Sequence, residues 1–391
     1  MAVKAQSKAG ISPVRPPKRL LYGPGPSQVE PRVYKAMAKP VVGHLDPYFF
    51  KVFEEAVQML KLVFGTKNPM TFAISGTGSS GMETAVANFV EPGTKAAVFA
   101  NGYFCDRISE MIRRQGGELV RLEKPWGEVF GDDEASAFIQ RERPQVVAYV
   151  NAETSTGALQ AGNAICAAAH AVDALVIADC VTSLGAMPVK VDETGIDIAY
   201  SCSQKGLSCP PGLAPITVSP RAWERLQARK ATNSWYLDLK LLNEYYFQTP
   251  HKYHHTASAS LLYALHEALL AIVKEGLEKR WERHRKAHLS FVKGIEALGL
   301  RMHVAEGNRI WNLNTPCVPE GVNDAAVRNM LLEQNGIEVA GGFGPLAGKI
   351  FRIGLMGPLA TEASVRSLLR IFAKALGVNG FKAKAAAAGK C

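Results

Sequence analysis

No uncharged apolar run in this 391-residue chain approaches the ~18–20 residues that crossing a bilayer requires, so a helical membrane protein is excluded. Acids are missing from both ends. Residues 1–20 hold Lys4, Lys8, Arg15, Lys18 and Arg19 with no acid, and residues 372–391 hold Lys374, Lys382, Lys384 and Lys390 with none. These two tails carry nearly all of the net charge of +10, and the stretch between them is close to neutral. A nucleic-acid-binding surface is therefore not expected. The first tail also lacks the apolar core of a secretory signal; it is basic like an import signal, but its prolines suit a poor helix. Paired cysteine spacing is absent as well. The seven cysteines, an odd number, read as reduced thiols in a cytoplasmic setting. Residues His254 and His255 adjoin one another with no Cys, Asp or Glu cluster at metal-ligand spacing, so no metal site is expected. Nucleotide signatures are incomplete too. Gly76, Gly78 and Gly81 have dinucleotide-like spacing, but the next apolar strand, residues 96–100, ends in Asn101 instead of an acid. The loop also has no Gly-Lys-Thr/Ser ending.

What is present is a strand–helix alternation over most of the length. Residues 47–64 place apolar side chains on one helical side, and residues 71–74 form a short apolar strand. A Gly/Ser/Thr loop follows at 75–81, then a helix over 82–89. Further strands are predicted at 96–100, 146–150, 175–178, 198–201 and 214–218, with helices at 107–115 and 162–171. This order argues for an α/β chain with a mostly parallel sheet covered on both faces. A long helical stretch over 260–298 leads into a mixed segment that reads as a smaller α+β domain. The expected division is a basic arm at 1–19, a large domain at 20–275, a small domain at 276–378 and a disordered tail at 379–391.

Within that frame two residues carry the chemistry. Asp179 ends the apolar run 174–178, at the mouth of a buried strand. Lys205 stands alone in the polar turn Ser203-Gln204-Lys205-Gly206 after the next strand. Both would lie beyond the carboxyl ends of parallel strands, where sites in such sheets form. An amine that can be desolvated and a carboxylate that keeps a pyridine nitrogen protonated are what pyridoxal 5′-phosphate chemistry needs. The 75–81 loop, with Thr77, Gly78 and Ser79, offers amides and hydroxyls to a phosphate at a helix start. Arg352 interrupts an apolar strand pattern, and its guanidinium suits a substrate carboxylate. Phe104 follows a strand and offers a ring to stack on the cofactor or to fill the core.

These segments, together with Gly23-Pro24-Gly25-Pro26-Ser27, Glu153-Thr154-Ser155-Thr156-Gly157, Asp179 to Gly185, Pro210-Pro211-Gly212 and Tyr253-His254-His255-Thr256, resemble the class V aminotransferases of fold-type I. The resemblance is to the alanine–glyoxylate and serine–pyruvate group and runs from about residue 20 to 376. It implies a large PLP-binding domain, a smaller C-terminal domain and a homodimer with shared active sites. It further implies ping-pong transfer of an amino group from alanine or serine to glyoxylate or pyruvate, through a Schiff base on Lys205. The resemblance also gives the phosphate to Thr77, Gly78 and Ser79, with Gln204 beside the lysine, Thr154 at the cofactor's phenolic oxygen and Ser183 near Asp179. Tyr253 and Thr256 would come from the partner chain, and Gly25 would line the substrate entrance, with Thr154 nearby. Aminoethylphosphonate–pyruvate or kynurenine-type transamination, or a cysteine-desulfurase-like lyase, are the alternatives on the same fold. Two positions depart from the group's pattern: Phe104 stands where tryptophan is usual, and residues 309–314 are bulkier and more polar than usual.

Overall fold

The structure is a computed structural model and describes residues 13–230 and 232–382. Most of the tail expected to be disordered, and the first part of the basic arm, lie outside the described residues.

Seven strands form the central sheet: β1 (Met70–Ser75), β2 (Lys95–Ala100), β3 (Glu118–Glu123), β4 (Val146–Val150), β5 (Leu175–Asp179), β6 (Ile198–Tyr200) and β7 (Leu213–Val218). Their spatial order is β1-β7-β6-β5-β4-β2-β3. Neighbours from β6 through β3 pair in parallel, whereas β7 runs antiparallel to both β6 and β1. The strands β4, β5, β6 and β7 are buried along their whole length, as expected for a sheet with helices on both faces.

The helices follow from local chemistry. Asp46 caps α1 (Pro47–Phe64) by accepting from the Tyr48 amide at 2.7 Å, Pro47 opens it, and Gly65 ends it with φ +67°. Helix α2 (Gly78–Phe89) starts four residues before the expected Met82, because small residues at its first turn leave no apolar period to read. Helix α3 (Tyr103–Arg114) follows β2, and α4 (Ala259–Glu275) follows the segment bearing the two adjacent histidines. The stretch predicted as one helix over 260–298 is two, α4 and α5 (Leu277–Ala297), broken at Gly276 where φ is +86°. Two main apolar cores result, beside a small cluster of Ala152, Met187, Ile310 and Leu313. The larger runs from Val29 to Ile272; the smaller holds Tyr22 together with residues from Ala287 to Leu376. Leu20 and Leu21 pair in parallel with Ile337 and Glu338, and the Tyr22 ring fills the smaller core. Among the described residues, no helix is long and apolar enough to cross a membrane.

Candidate active site

The carboxyl ends of five parallel strands deliver the site. β1 leads to Thr77 and Gly78, β2 to Phe104, β4 to Glu153 and Thr154, β5 ends in Asp179, and β6 leads to Lys205. Sequence distance between these residues is large, and the sheet register removes it.

Asp179 is 2% exposed. Its Oδ2 accepts from the Tyr200 hydroxyl at 2.8 Å, and its Oδ1 accepts from the Val181 amide at 2.8 Å. Burial pushes its carboxyl up to about 7, and those two hydrogen bonds restrain the rise. Burial lowers the Lys205 amine below its ordinary value, and the charge of Arg352 works in the same direction. The Lys205 Nζ donates to the Pro24 carbonyl. The loop that carries it is fixed on the same side: Ser27 Oγ donates to the Lys205 carbonyl at 2.8 Å, and the Ser27 amide to the Gln204 carbonyl at 2.8 Å. Gly25 must be glycine here. Its φ is +130°, and a Cβ would stand 2.6 Å from Lys205 Cε and Nζ.

Thr77 occupies the N-cap position of α2, with Gly78 and Ser79 in its first turn. The opening amides of a helix have no intrahelical acceptors, so they are available to an anion. A Cβ at Gly78 would come within 3.0 Å of the Cys202 side chain, so the helix start approaches the lysine turn closely. Ser79 Oγ accepts from Arg107 at 3.0 Å, and the Arg107 guanidinium lies 4.9 Å from the centre of the Phe104 ring. The Gln204 side-chain oxygen is buried with no hydrogen-bond partner. Thr154 and Thr182 share a hydroxyl–hydroxyl hydrogen bond, and Asn312 Nδ2 donates to the Thr182 carbonyl at 2.7 Å. Ser183 is fully buried on the turn that follows Asp179.

Arg352 comes from the smaller core, on the strand Phe351–Gly354. Its Nε donates to the Gly341 carbonyl at 2.8 Å, and its guanidinium lies 4.2 Å from the centre of the Phe343 ring. Burial holds its pKa down at about 10, and the Glu153 charge opposes that fall. Phe343 in turn meets Tyr103 edge-on at 4.8 Å. Tyr253 and Thr256 are surface-exposed in the single chain; Tyr253 packs against His44 at 5.1 Å, while neighbouring His255 bonds Ser75 Oγ at 2.7 Å.

Sequence reasoning passed over two residues. Glu153 is fully buried among the site's charges, although it looked like an ordinary member of a polar turn. Arg280, in the charged part of α5, is 3% exposed and donates to the carbonyls of Gly185 at 2.7 Å and Gly206 at 2.8 Å. The signal for Glu153 was its place three residues past the apolar run 146–150; for Arg280 there was none, because its neighbours are also charged.

The family model for aminotransferase class-V matches residues 20–372. The chain belongs to the class V aminotransferases. A (S)-ureidoglycine–glyoxylate transaminase of Bacillus subtilis is 38% identical, over 90% of this chain and 89% of that protein. An alanine–glyoxylate aminotransferase of Drosophila melanogaster is 37% identical, over 93% of this chain and 94% of its own length. Among solved structures, an alanine–glyoxylate aminotransferase from Nostoc sp. superposes with a TM-score of 0.93 at 43% identity, covering 96% of this chain and 100% of that one. This class V enzyme is thus a PLP-dependent aminotransferase by family, on the fold-type I architecture that its neighbours share.

Proposed function

We propose that this enzyme transfers an amino group from a small L-amino acid, alanine or serine, to glyoxylate or pyruvate, with pyridoxal 5′-phosphate as cofactor. The observation that carries the reading is the pairing of a desolvated Lys205 amine with the buried Asp179 carboxylate across the ends of neighbouring strands. The names of the relatives favour glyoxylate as the acceptor.

The residues present fit the cofactor. A buried carboxylate with a pKa raised to about 7 is short of a cationic partner, and a protonated pyridine nitrogen is one. The amides at Thr77, Gly78 and Ser79 would hold the phosphate, and the unpartnered Gln204 oxygen, on the residue before Lys205, would accept a hydrogen bond from the bound group or from water. Phe104 would cover the ring, Thr154 would serve the phenolic oxygen, and Ser183 would support the Asp179 turn. Pyridoxal phosphate supplies an aldehyde that condenses with amines and a ring that accepts the electron pair freed at the substrate Cα.

Lys205 Nζ would hold the cofactor's aldehyde carbon and would serve as the base toward the substrate Cα proton. Its lowered pKa keeps a neutral fraction available for both tasks. Arg352 would hold the substrate carboxylate and so orient the Cα–H bond toward Lys205, favouring loss of the proton over loss of carbon dioxide. The missing side chain at Gly25 leaves the space that Lys205 Nζ occupies. In this reading the enzyme is a homodimer, in which exposed Tyr253 and Thr256 reach the phosphate of the other subunit. Exposed aromatic side chains at Tyr48, Trp235, Tyr236 and Tyr253 support such a surface.

Borohydride reduction of the purified enzyme followed by peptide mapping tests the core of this. The label should fall on Lys205, and Lys205→Ala should lose both colour and turnover. A label on another lysine, or none after cofactor is added, sinks the reading. Single-turnover bleaching with alanine, serine, glycine and aminoethylphosphonate, then recolouring with glyoxylate or pyruvate, identifies the substrate pair.

A further inference from the structure

Glu153 has no part in the chemistry above, yet it is 0% exposed among the site's charges. Its four donors explain where its charge goes. Oε2 accepts from the Phe104 amide at 3.1 Å and from the Cys105 thiol at 3.7 Å. Oε1 accepts from the Ser155 amide at 3.0 Å and the Ser155 hydroxyl at 2.5 Å. The Ser155 hydroxyl oxygen in turn accepts from the Tyr103 amide at 3.0 Å. Tyr103 and Phe104 are the first two residues of α3, so the Glu153–Ser155 pair takes both of the amides that open this helix. Gly102, at the N-cap position, provides no cap of its own.

A second observation makes the arrangement specific. The backbone at Gly102 has φ 179°, an extended conformation that any residue adopts, so the turn itself does not call for glycine. A Cβ there would stand 2.3 Å from Glu153 Cγ, 2.5 Å from Glu153 Cδ and 2.8 Å from Ser155 Oγ. Glycine is required by the carboxylate and not by the chain path. A carboxylate at a helix N-terminus is also favoured by the helix dipole. Burial raises its pKa above the ordinary carboxylate value, and the hydrogen bonds from Ser155, Phe104 and Cys105 restrain that rise.

We propose that Glu153 is a positioning residue: it caps α3 from outside the helix and thereby fixes Phe104, the first-turn aromatic, over the cofactor ring, with Gly102 left bare to admit it. The inference rests on the cofactor reading given above. It also accounts for how a phenylalanine, smaller than the tryptophan usual in this group, is held in place: by its own backbone amide.

The test uses the holoenzyme and three variants, Glu153→Gln, Gly102→Ala and the double variant Gly102→Ala/Glu153→Ala. The readouts are the dissociation constant for pyridoxal phosphate and the visible circular dichroism of the bound cofactor, with far-ultraviolet dichroism to verify folding. Glutamine presents an NH2 group where one of the donors must be accepted, so the affinity should fall about tenfold and the visible band should change. Gly102→Ala should do the same, because its methyl group displaces the carboxylate. Alanine at 153 removes both clashing carbons, so the double variant should bind the cofactor no more weakly than Gly102→Ala alone. Wild-type affinity and dichroism in Gly102→Ala, or a double variant weaker than that single one, would overturn the proposal. Should Glu153→Gln fail to fold, the Gly102 pair decides alone. A wild-type enzyme that takes up no pyridoxal phosphate would instead defeat the underlying cofactor reading.

Discussion

Replacing Arg280 with methionine should loosen the active site without touching a residue that does chemistry. The Arg280 side chain runs from α5 to the two loops that matter most. It donates to Gly185, on the turn after Asp179, and to Gly206, the residue after Lys205. It also pairs with Glu275 at 3.0 Å. Methionine keeps most of the stem volume, so the packing loss is small. Glu275 is not stranded, because Arg283 holds both of its oxygens at 2.6 and 3.0 Å. The cost therefore falls on the two carbonyls. Hydrogen bonds from a charged donor are worth about 1.5–3 kcal/mol each, and breaking a buried charged contact costs about 3–5 kcal/mol in all. An unfolding entropy of about 2.1 cal/mol/K per residue gives the whole chain about 0.8 kcal/mol/K. The melting temperature should then drop by about 4–6 °C. Differential scanning fluorimetry of the holoenzyme reads this, and dialysis followed by absorbance reads faster cofactor loss. Arg280→Lys should fall between, since one ammonium cannot serve both carbonyls in the same geometry. An Arg280→Met enzyme that melts within about 1 °C of wild type and keeps its cofactor would refute the reasoning.

Other perturbations follow from the same geometry. Phe343→Leu removes the ring under the Arg352 guanidinium, an interaction worth about 0.5–2 kcal/mol, and should raise KM for carboxylate substrates several-fold with a smaller change in kcat; equal losses in both would show that the ring acts elsewhere. Arg352→Lys should lower kcat/KM for amino acids much more than it lowers cofactor affinity, because a point charge replaces a two-pronged donor; unchanged steady-state constants would remove Arg352 from the site. Burial raises the folded-state pKa of Asp179 to about 7 from 3.8, so the folded apoprotein binds this proton more tightly than the unfolded chain does. Apoprotein stability should therefore fall as pH rises between those values and level off above them. Asp179→Asn should melt higher than wild-type apoprotein at about pH 8 but not at about pH 4, while losing activity; parallel pH curves for the two proteins would contradict this. Gly206→Ala places a Cβ 2.3 Å from the Leu184 carbonyl oxygen, which is backbone and cannot swing away, so soluble yield and cofactor content should both drop; a yellow, fully soluble variant would show that the loop can yield.

The legible parts of the sequence were those where burial and period coincide. The strands at 146–150 and 175–178 appear at their expected places because both faces are covered, which leaves an uninterrupted apolar run. Strand Glu118–Glu123 was not identified because it is the edge of the sheet and carries charge at both ends. The antiparallel direction of residues 214–218 was invisible as well, since a strand reads the same in either direction. Gly78 and Ser79 were placed in a loop because a helix whose first turn is small and polar shows no face.

Asp179 and Lys205 stand out in the primary sequence because each ends or follows an apolar run, and an ionisable group in that position is costly unless it serves a purpose. Chain order alone therefore pointed to the enzyme class and to the residues proposed at its centre. What folding alone decided is which distant groups share a boundary. Only the packed structure sets Glu153 against the Phe104 amide, Arg280 against two loops and Tyr22 in the smaller core. Those contacts depend on direction and distance between elements, and no local pattern of residue types encodes either.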